Sequence, residues 1–206
     1  MSSADPKSPS PAGGGSGWGT TRASLKEIAV LGSARIEPPD PRWEMAHRLG
    51  GLLAQHGFAV VTGGYGGLMS AVSQGASESG GRVIGLPMRH WDKLEPNRWN
   101  AELRWSDGYG TRLDHLLRCT GVVALPGGVG TLSEMSVIWA AAQTEPDPPS
   151  IVLLGEGWPS LVKAFGEQLV VGPEDLKLLQ LVATPEEAIQ ALTVPADRGG
   201  RPGPRG

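Results

Sequence analysis

The chain has 206 residues, 39% hydrophobic and 19% charged, with a formal net charge of −3. That length and balance suit one globular domain with a sizeable core, and nothing in the overall charge points to nucleic acid or a membrane surface. The single cysteine, Cys119, excludes an internal disulfide framework and fits a reducing compartment, and no apolar run reaches the ~18 residues of a membrane span. The expectation is a cytoplasmic protein with no nucleic-acid or membrane partner, no metal and no cofactor.

Residues 1–24 are rich in Ser, Pro and Gly, and "PADRGGRPGPRG" at the other end reads the same way. Such composition buries too little apolar surface to order itself, so disordered tails are expected over 1–24 and 194–206. The folded domain is expected over 25–193. Within it, "EIAVLG" (27–32), "FAVVTGG" (58–64), "RVIGLP" (82–87), "GVVALPGG" (121–128) and "SIVLLG" (150–155) are short continuous runs rich in Val, Ile and Leu. Strands buried on both faces of a parallel sheet have that character. Helical spacing fills the gaps: "PRWEMAHRLGGLLAQHG" (41–57), "GLMSAVSQGASESGG" (67–81) and "TLSEMSVIWAAAQ" (131–143). "TPEEAIQAL" (184–192) opens with a capping box, Thr184 to Glu187, with Pro185 at the first helical position. The alternation predicts an α/β fold, a Rossmann-like, doubly wound, mainly parallel sheet in a single domain. Residues 88–110 hold three of the seven tryptophans and fit neither period, so they read as an irregular excursion over one sheet edge.

Three glycine-bearing strand ends fall at the carboxyl rim of such a sheet, where open α/β folds bind ligands. The third, "LPGGVGTLSE" (125–134), carries Gly127, Gly128 and Gly130. It should present free N–H groups from Val129 to Leu132 at the positive end of a helix dipole, which suits phosphate. Thr131 adds a hydroxyl, and Glu134 shares its helix face. Thr131 and Glu134 also satisfy a capping box, which would leave both serving only the helix end. A cap, however, needs no run of glycines. The second loop, "TGGYGGLM" (62–69), repeats the logic with Gly63, Gly64, Gly67 and Met69. It lacks the dinucleotide spacing and any Walker lysine. In the first, Gly32 and Ser33 end a strand, with Ser33 either a donor to phosphate or sugar or a turn residue. Arg112 precedes the fourth predicted strand; it is either a bidentate anion ligand or a solvated surface charge.

The motif P-G-G-x-G-T-x-x-E at Pro126–Glu134, the run G-G-x-x-G-L-M at Gly63–Met69 and the Gly32–Ser33 pair together resemble the LOG-like family, often labelled "lysine decarboxylase-like". The resemblance spans about 27–192. It implies a Rossmann-like fold, usually a homodimer, that binds a nucleoside 5′-monophosphate. It further implies a phosphoribohydrolase that cleaves the N-glycosidic bond of a cytokinin-type or purine nucleotide, such as AMP. The glycine loop would hold the phosphate, and Arg112 and Glu134 would be the catalytic pair. The family element M-x-x-R-K is altered: "YGTRLD" has Tyr109 at the methionine position and Leu113 for lysine. Tyr109 is a possible base contact, or an ordinary core or surface tyrosine. Some members of the wider group bind a nucleotide or molybdenum cofactor without hydrolysis, so a non-catalytic carrier is the alternative. A pyridoxal-phosphate decarboxylase is disfavoured, because no lysine lies near a glycine loop to form the Schiff base.

Overall fold

The computed structural model describes residues 26–91 and 93–193, and the two tails expected to be disordered lie outside the described residues. Seven strands form one all-parallel sheet in the order β4-β3-β2-β1-β5-β6-β7. They are β1 (Glu27–Leu31), β2 (Ala59–Thr62), β3 (Val83–Gly85), β4 (Glu102–Leu103), β5 (Gly121–Ala124), β6 (Ser150–Leu154) and β7 (Leu179–Val182). The order runs outward from β1 to β4, then restarts beside β1 with β5. The reversal point therefore lies between β1 and β5, where Ile28 is level with Gly121 and Leu31 with Ala124.

Each strand alternates its side chains between two helical layers, as the pleat requires. Ile28 and Val30 join the apolar cluster under α1 (Pro41–Gln55), α2 (Leu68–Glu78) and α7 (Pro185–Thr193). Ala29 and Leu31 join the cluster under α3 (Tyr109–Leu117), α4 (Val129–Thr144), α5 (Gly157–Gln168) and the short α6 (Pro173–Leu176). Burial on both faces explains why five strands are continuous apolar runs. The two edge strands break that pattern. β4 has two residues, and β7 reads "LQLV" with one buried position. Neither is predicted from the sequence, nor are α5 and α6.

Helices α1 and α2 pack backbone to backbone. A Cβ on Gly50 would stand 2.0 Å from the Val72 carbonyl oxygen, and one on Gly75 would stand 1.9 Å from that of His47. The predicted capping box of α7 is formed: Thr184 Oγ1 accepts from the Glu187 amide at 3.2 Å, and Glu187 Oε2 accepts from the Thr184 amide at 3.3 Å. Among its described residues, the stretch over 88–110 supplies β4, which forms one edge of the sheet, and the start of α3. Among the described residues, no helix is long and apolar enough to cross a membrane.

Candidate functional site

The carboxyl ends of β1, β2 and β5 meet at the reversal point, and Ser33 ties them together. Its amide donates to the Pro126 carbonyl at 3.1 Å, and its carbonyl accepts from the Leu68 amide at 2.8 Å. The Ser33 hydroxyl accepts from the Arg35 amide at 3.1 Å, so the side chain serves its own turn. Gly32 lies between the other two loops, where an added Cβ would stand 3.1 Å from Leu68 Cβ and 3.4 Å from Leu125 Cβ.

Helix α4 opens directly from the third loop. Gly128 is its N-cap and supplies no side-chain cap. The Leu132 amide donates to the Gly128 carbonyl at 3.0 Å, so the run of unpaired amides ends one residue earlier than expected, at Thr131. Val129, 83% exposed, and Gly130 stand at an open helix end. Gly128 and Gly130 have no neighbour within 4 Å of an added Cβ, whereas a Cβ on Gly127 would lie 2.1 Å from Thr131 Oγ1. The capping-box alternative is not formed. Thr131 is the third helical residue rather than the cap, and Glu134 turns inward to Arg112.

The second loop differs from the third. Gly67, at φ +65°, N-caps α2, but its amide donates to Glu37 Oε1 at 3.0 Å. The chain's own carboxylate thus sits where a ligand anion would be favoured. Gly63 instead provides close approach: a Cβ there would lie 2.5 Å from Arg112 Nη2 and 2.6 Å from Met69 Sδ. Gly64, at φ +83°, turns its carbonyl to the Asn97 amide at 2.7 Å and to Asn100 Nδ2 at 3.0 Å.

Arg112 lies on α3 and is 5% exposed, which excludes the surface-charge alternative. Its Nε donates to Glu134 Oε1 at 2.8 Å, and its Nη1 donates to the Leu86 carbonyl. Arg112 is thereby tied to Glu134 and to the end of β3, with Gly63 against it. Glu134 Oε2 has no partner among the described residues. Tyr109 shares its hydroxyl with Ser133 Oγ at 2.7 Å, bridging α3 to α4. Leu113 packs against the apolar cluster under α3 and α4. Cys119 is 3% exposed, and burial pushes its thiol pKa up to about 12, which disfavours the thiolate.

Several residues at this rim carry no sequence signal. Glu37 acts on an amide thirty positions away. Asn97 and Asn100 strap the second loop, and the buried Tyr65 hydroxyl accepts from the Met88 amide at 2.8 Å. Tyr65 alone could have been marked, as the bulky residue inside a glycine run.

Comparisons with known proteins bear on the family and the fold. Over 151 residues the chain is 30% identical to the probable cytokinin riboside 5′-monophosphate phosphoribohydrolase LOGL2 of Oryza sativa subsp. japonica. That match covers 68% of this chain but only 61% of the rice protein. Among solved structures, the molybdenum cofactor carrier protein of Chlamydomonas reinhardtii is 26% identical, with a TM-score of 0.66 over 82% of this chain and 96% of its own. The molybdenum cofactor binding protein of Rippkaea orientalis shares the fold, with a TM-score of 0.65 at 22% identity, over 82% of this chain and 95% of its own. The fold, the glycine loop at the reversal point and a family-model match over residues 25–168 agree, and the chain belongs to the SLOG cluster4 family.

Proposed function

We propose that the protein is a nucleoside 5′-monophosphate phosphoribohydrolase, releasing a free base and ribose 5-phosphate. The observation that carries this reading is the buried Arg112–Glu134 pair, one turn inside a helix whose N-terminus is open and uncapped. In this reading the phosphate takes the amides of Val129, Gly130 and Thr131, with Gly127 and Gly128 letting the backbone close around it. Gly32, Ser33, Gly63, Gly64, Gly67 and Met69 shape the walls rather than bind the anion.

Departure of the base leaves positive charge on the ribose ring, as in other glycoside cleavages. Glu134, fixed through Oε1, offers Oε2 to that charge or to the attacking water. Water adds to the anomeric carbon, the carbon–nitrogen bond breaks, and the base leaves with a proton. Arg112 holds the carboxylate in place. The phosphate anchor supplies binding energy remote from the breaking bond, which positions the sugar.

The test follows free base by chromatography with AMP, GMP, CMP, UMP and an N6-isopentenyl AMP. Base release that stops in Glu134→Gln supports the mechanism, and release that survives unchanged in that variant overturns it. A second reading, a non-catalytic carrier of a nucleotide or molybdenum cofactor, has its own support. It draws on the likeness to the Chlamydomonas carrier and on Leu113, which places an apolar side chain where the resemblance calls for lysine. Binding of a phosphorylated ligand with no base released from any nucleotide favours that reading. A homodimer belongs to the proposal as well, supported by the partly exposed Val137 on the outer side of α4.

A further inference from the structure

The Trp91 indole stands outside every glycine motif, yet it lies against the candidate site. Its ring centroid is 5.9 Å from Arg112 Cζ and 5.8 Å from the Tyr65 ring, tilted 35° to it. Tyr65 is 4% exposed and is itself anchored, because its hydroxyl accepts from the Met88 amide at 2.8 Å. Asn97 Nδ2 donates to the Tyr65 carbonyl at 2.8 Å, which ties the irregular excursion to the second glycine loop. The indole is therefore backed by held groups. What remains open of it lines a hollow of about 360 Å³ shared with His90, Lys93 and Leu94.

Of the residues that line this hollow, Trp91 approaches the site through Arg112. Trp91 contacts Arg112, and Arg112 donates to Glu134 at 2.8 Å. Glu134 lies about one helical turn, ~5.4 Å, into α4 from the open amides. A ligand with its phosphate on those amides and its sugar at Glu134 would meet Trp91 where its third part passes Arg112, the side chain that approaches both Glu134 and the indole. A rigid indole beside a wide, partly apolar hollow suits a flat ring system, since every heterocyclic base offers a π-face for stacking.

We propose that Trp91 is the specificity-determining wall of the site, stacking the planar heterocycle of the phosphorylated ligand and favouring purine-sized rings over pyrimidines. This inference rests on the reading of the α4 N-terminus as the phosphate site. It adds a residue that the glycine signature does not contain, and it assigns the heterocycle to Trp91 rather than to Tyr109, whose hydroxyl is engaged by Ser133.

Isothermal titration of the full chain with AMP, UMP and ribose 5-phosphate tests it, in the cold and with each sample checked for free base. Trp91→Ala is expected to weaken AMP about tenfold or more, in line with stacking losses at other nucleotide sites. It should also erase most of the preference for AMP over UMP, and leave ribose 5-phosphate within about twofold. Trp91→Phe should recover part of the AMP affinity. Unchanged AMP binding in Trp91→Ala overturns the wall alone. Equal weakening of AMP and ribose 5-phosphate also overturns it, because Trp91 would then act only by supporting Arg112 or the fold. A parent protein that binds none of the three removes the phosphate site, and the wall with it.

Discussion

Arg112 Nε donates to Glu134 Oε1 at 2.8 Å, and the two side chains are only 7% and 8% exposed. A buried pair of this kind costs most when one partner is removed, because the survivor is left uncompensated. Arg112→Met is therefore expected to destabilise the fold by about 3 kcal/mol. Adding Glu134→Leu should recover more than half of that loss. Urea unfolding of the parent, both single variants and the double variant measures the coupling. Additive losses would mean that the pair does not act as a unit.

Gly130 lies in the first turn of α4 with open space around it. An alanine in a helix is favoured over glycine by roughly 0.5–1 kcal/mol. Gly130→Ala should therefore raise the unfolding free energy by about that amount while weakening ribose 5-phosphate binding, since the methyl group stands among the open amides. Gly127→Ala should lose on both counts, because its Cβ would strike Thr131 Oγ1. Thermal melts and titrations on the two variants separate the effects. Gly130→Ala that stabilises without affecting binding would remove phosphate from this helix end.

The α1–α2 contact allows no side chain at Gly50 or Gly75. Alanine at either position forces the helices apart and is expected to cost about 2 kcal/mol, as overpacked cores do. Denaturant midpoints measure this, and Gly57→Ala makes an instructive comparison. Gly57 has free space but a φ of +77°, so its loss would come from backbone strain alone.

Glu102 receives Arg104 Nε at 2.7 Å and also pairs with Arg82, and these hydrogen bonds hold its carboxyl below the usual value of 4.5. A folded-state value below the unfolded one gives stability that is present above the ordinary value and is lost as pH falls through the folded one. Arg104→Gln should therefore lie furthest below the parent near neutrality, and the two stability curves should converge in acid. Parallel curves across that range would show that the pairing adds nothing.

Burial holds the Cys119 thiol far from ionisation and its side chain 3% exposed. Ellman's reagent at pH 8 is expected to leave the native protein almost unmodified and to react fully once it is unfolded in guanidinium. Rapid reaction of the native protein would show that the end of α3 opens locally.

The sheet was legible because strands buried on both faces leave unbroken apolar runs, as "VVALP" does over 122–126. Edge strands have no such requirement, so Glu102–Leu103 and Leu179–Val182 left no trace. At the candidate site, the glycines pointed to the rim at the reversal point, but they could not tell which helix end was open. That distinction depends on Glu37, an acid in "RIEPPD" with nothing local to mark it and a partner thirty residues away. Arg112 and Glu134 each had an ordinary reading when taken alone. Their meeting required α3 and α4 to lie side by side, a fact of topology rather than of either segment.

The neighbours β1 and β5 are joined late in the chain's own order, with everything from α1 to α3 intervening. The first four strands can assemble as a local succession, but until β5 arrives β1 is an unprotected edge, open to pairing with another chain. The bond from Ser33 to Pro126 closes that seam, and the candidate phosphate loop lies on its far side. A ligand bound there would therefore bridge the early and late halves of the molecule, stabilising the completed fold by mass action and leaving half-made chains unaided.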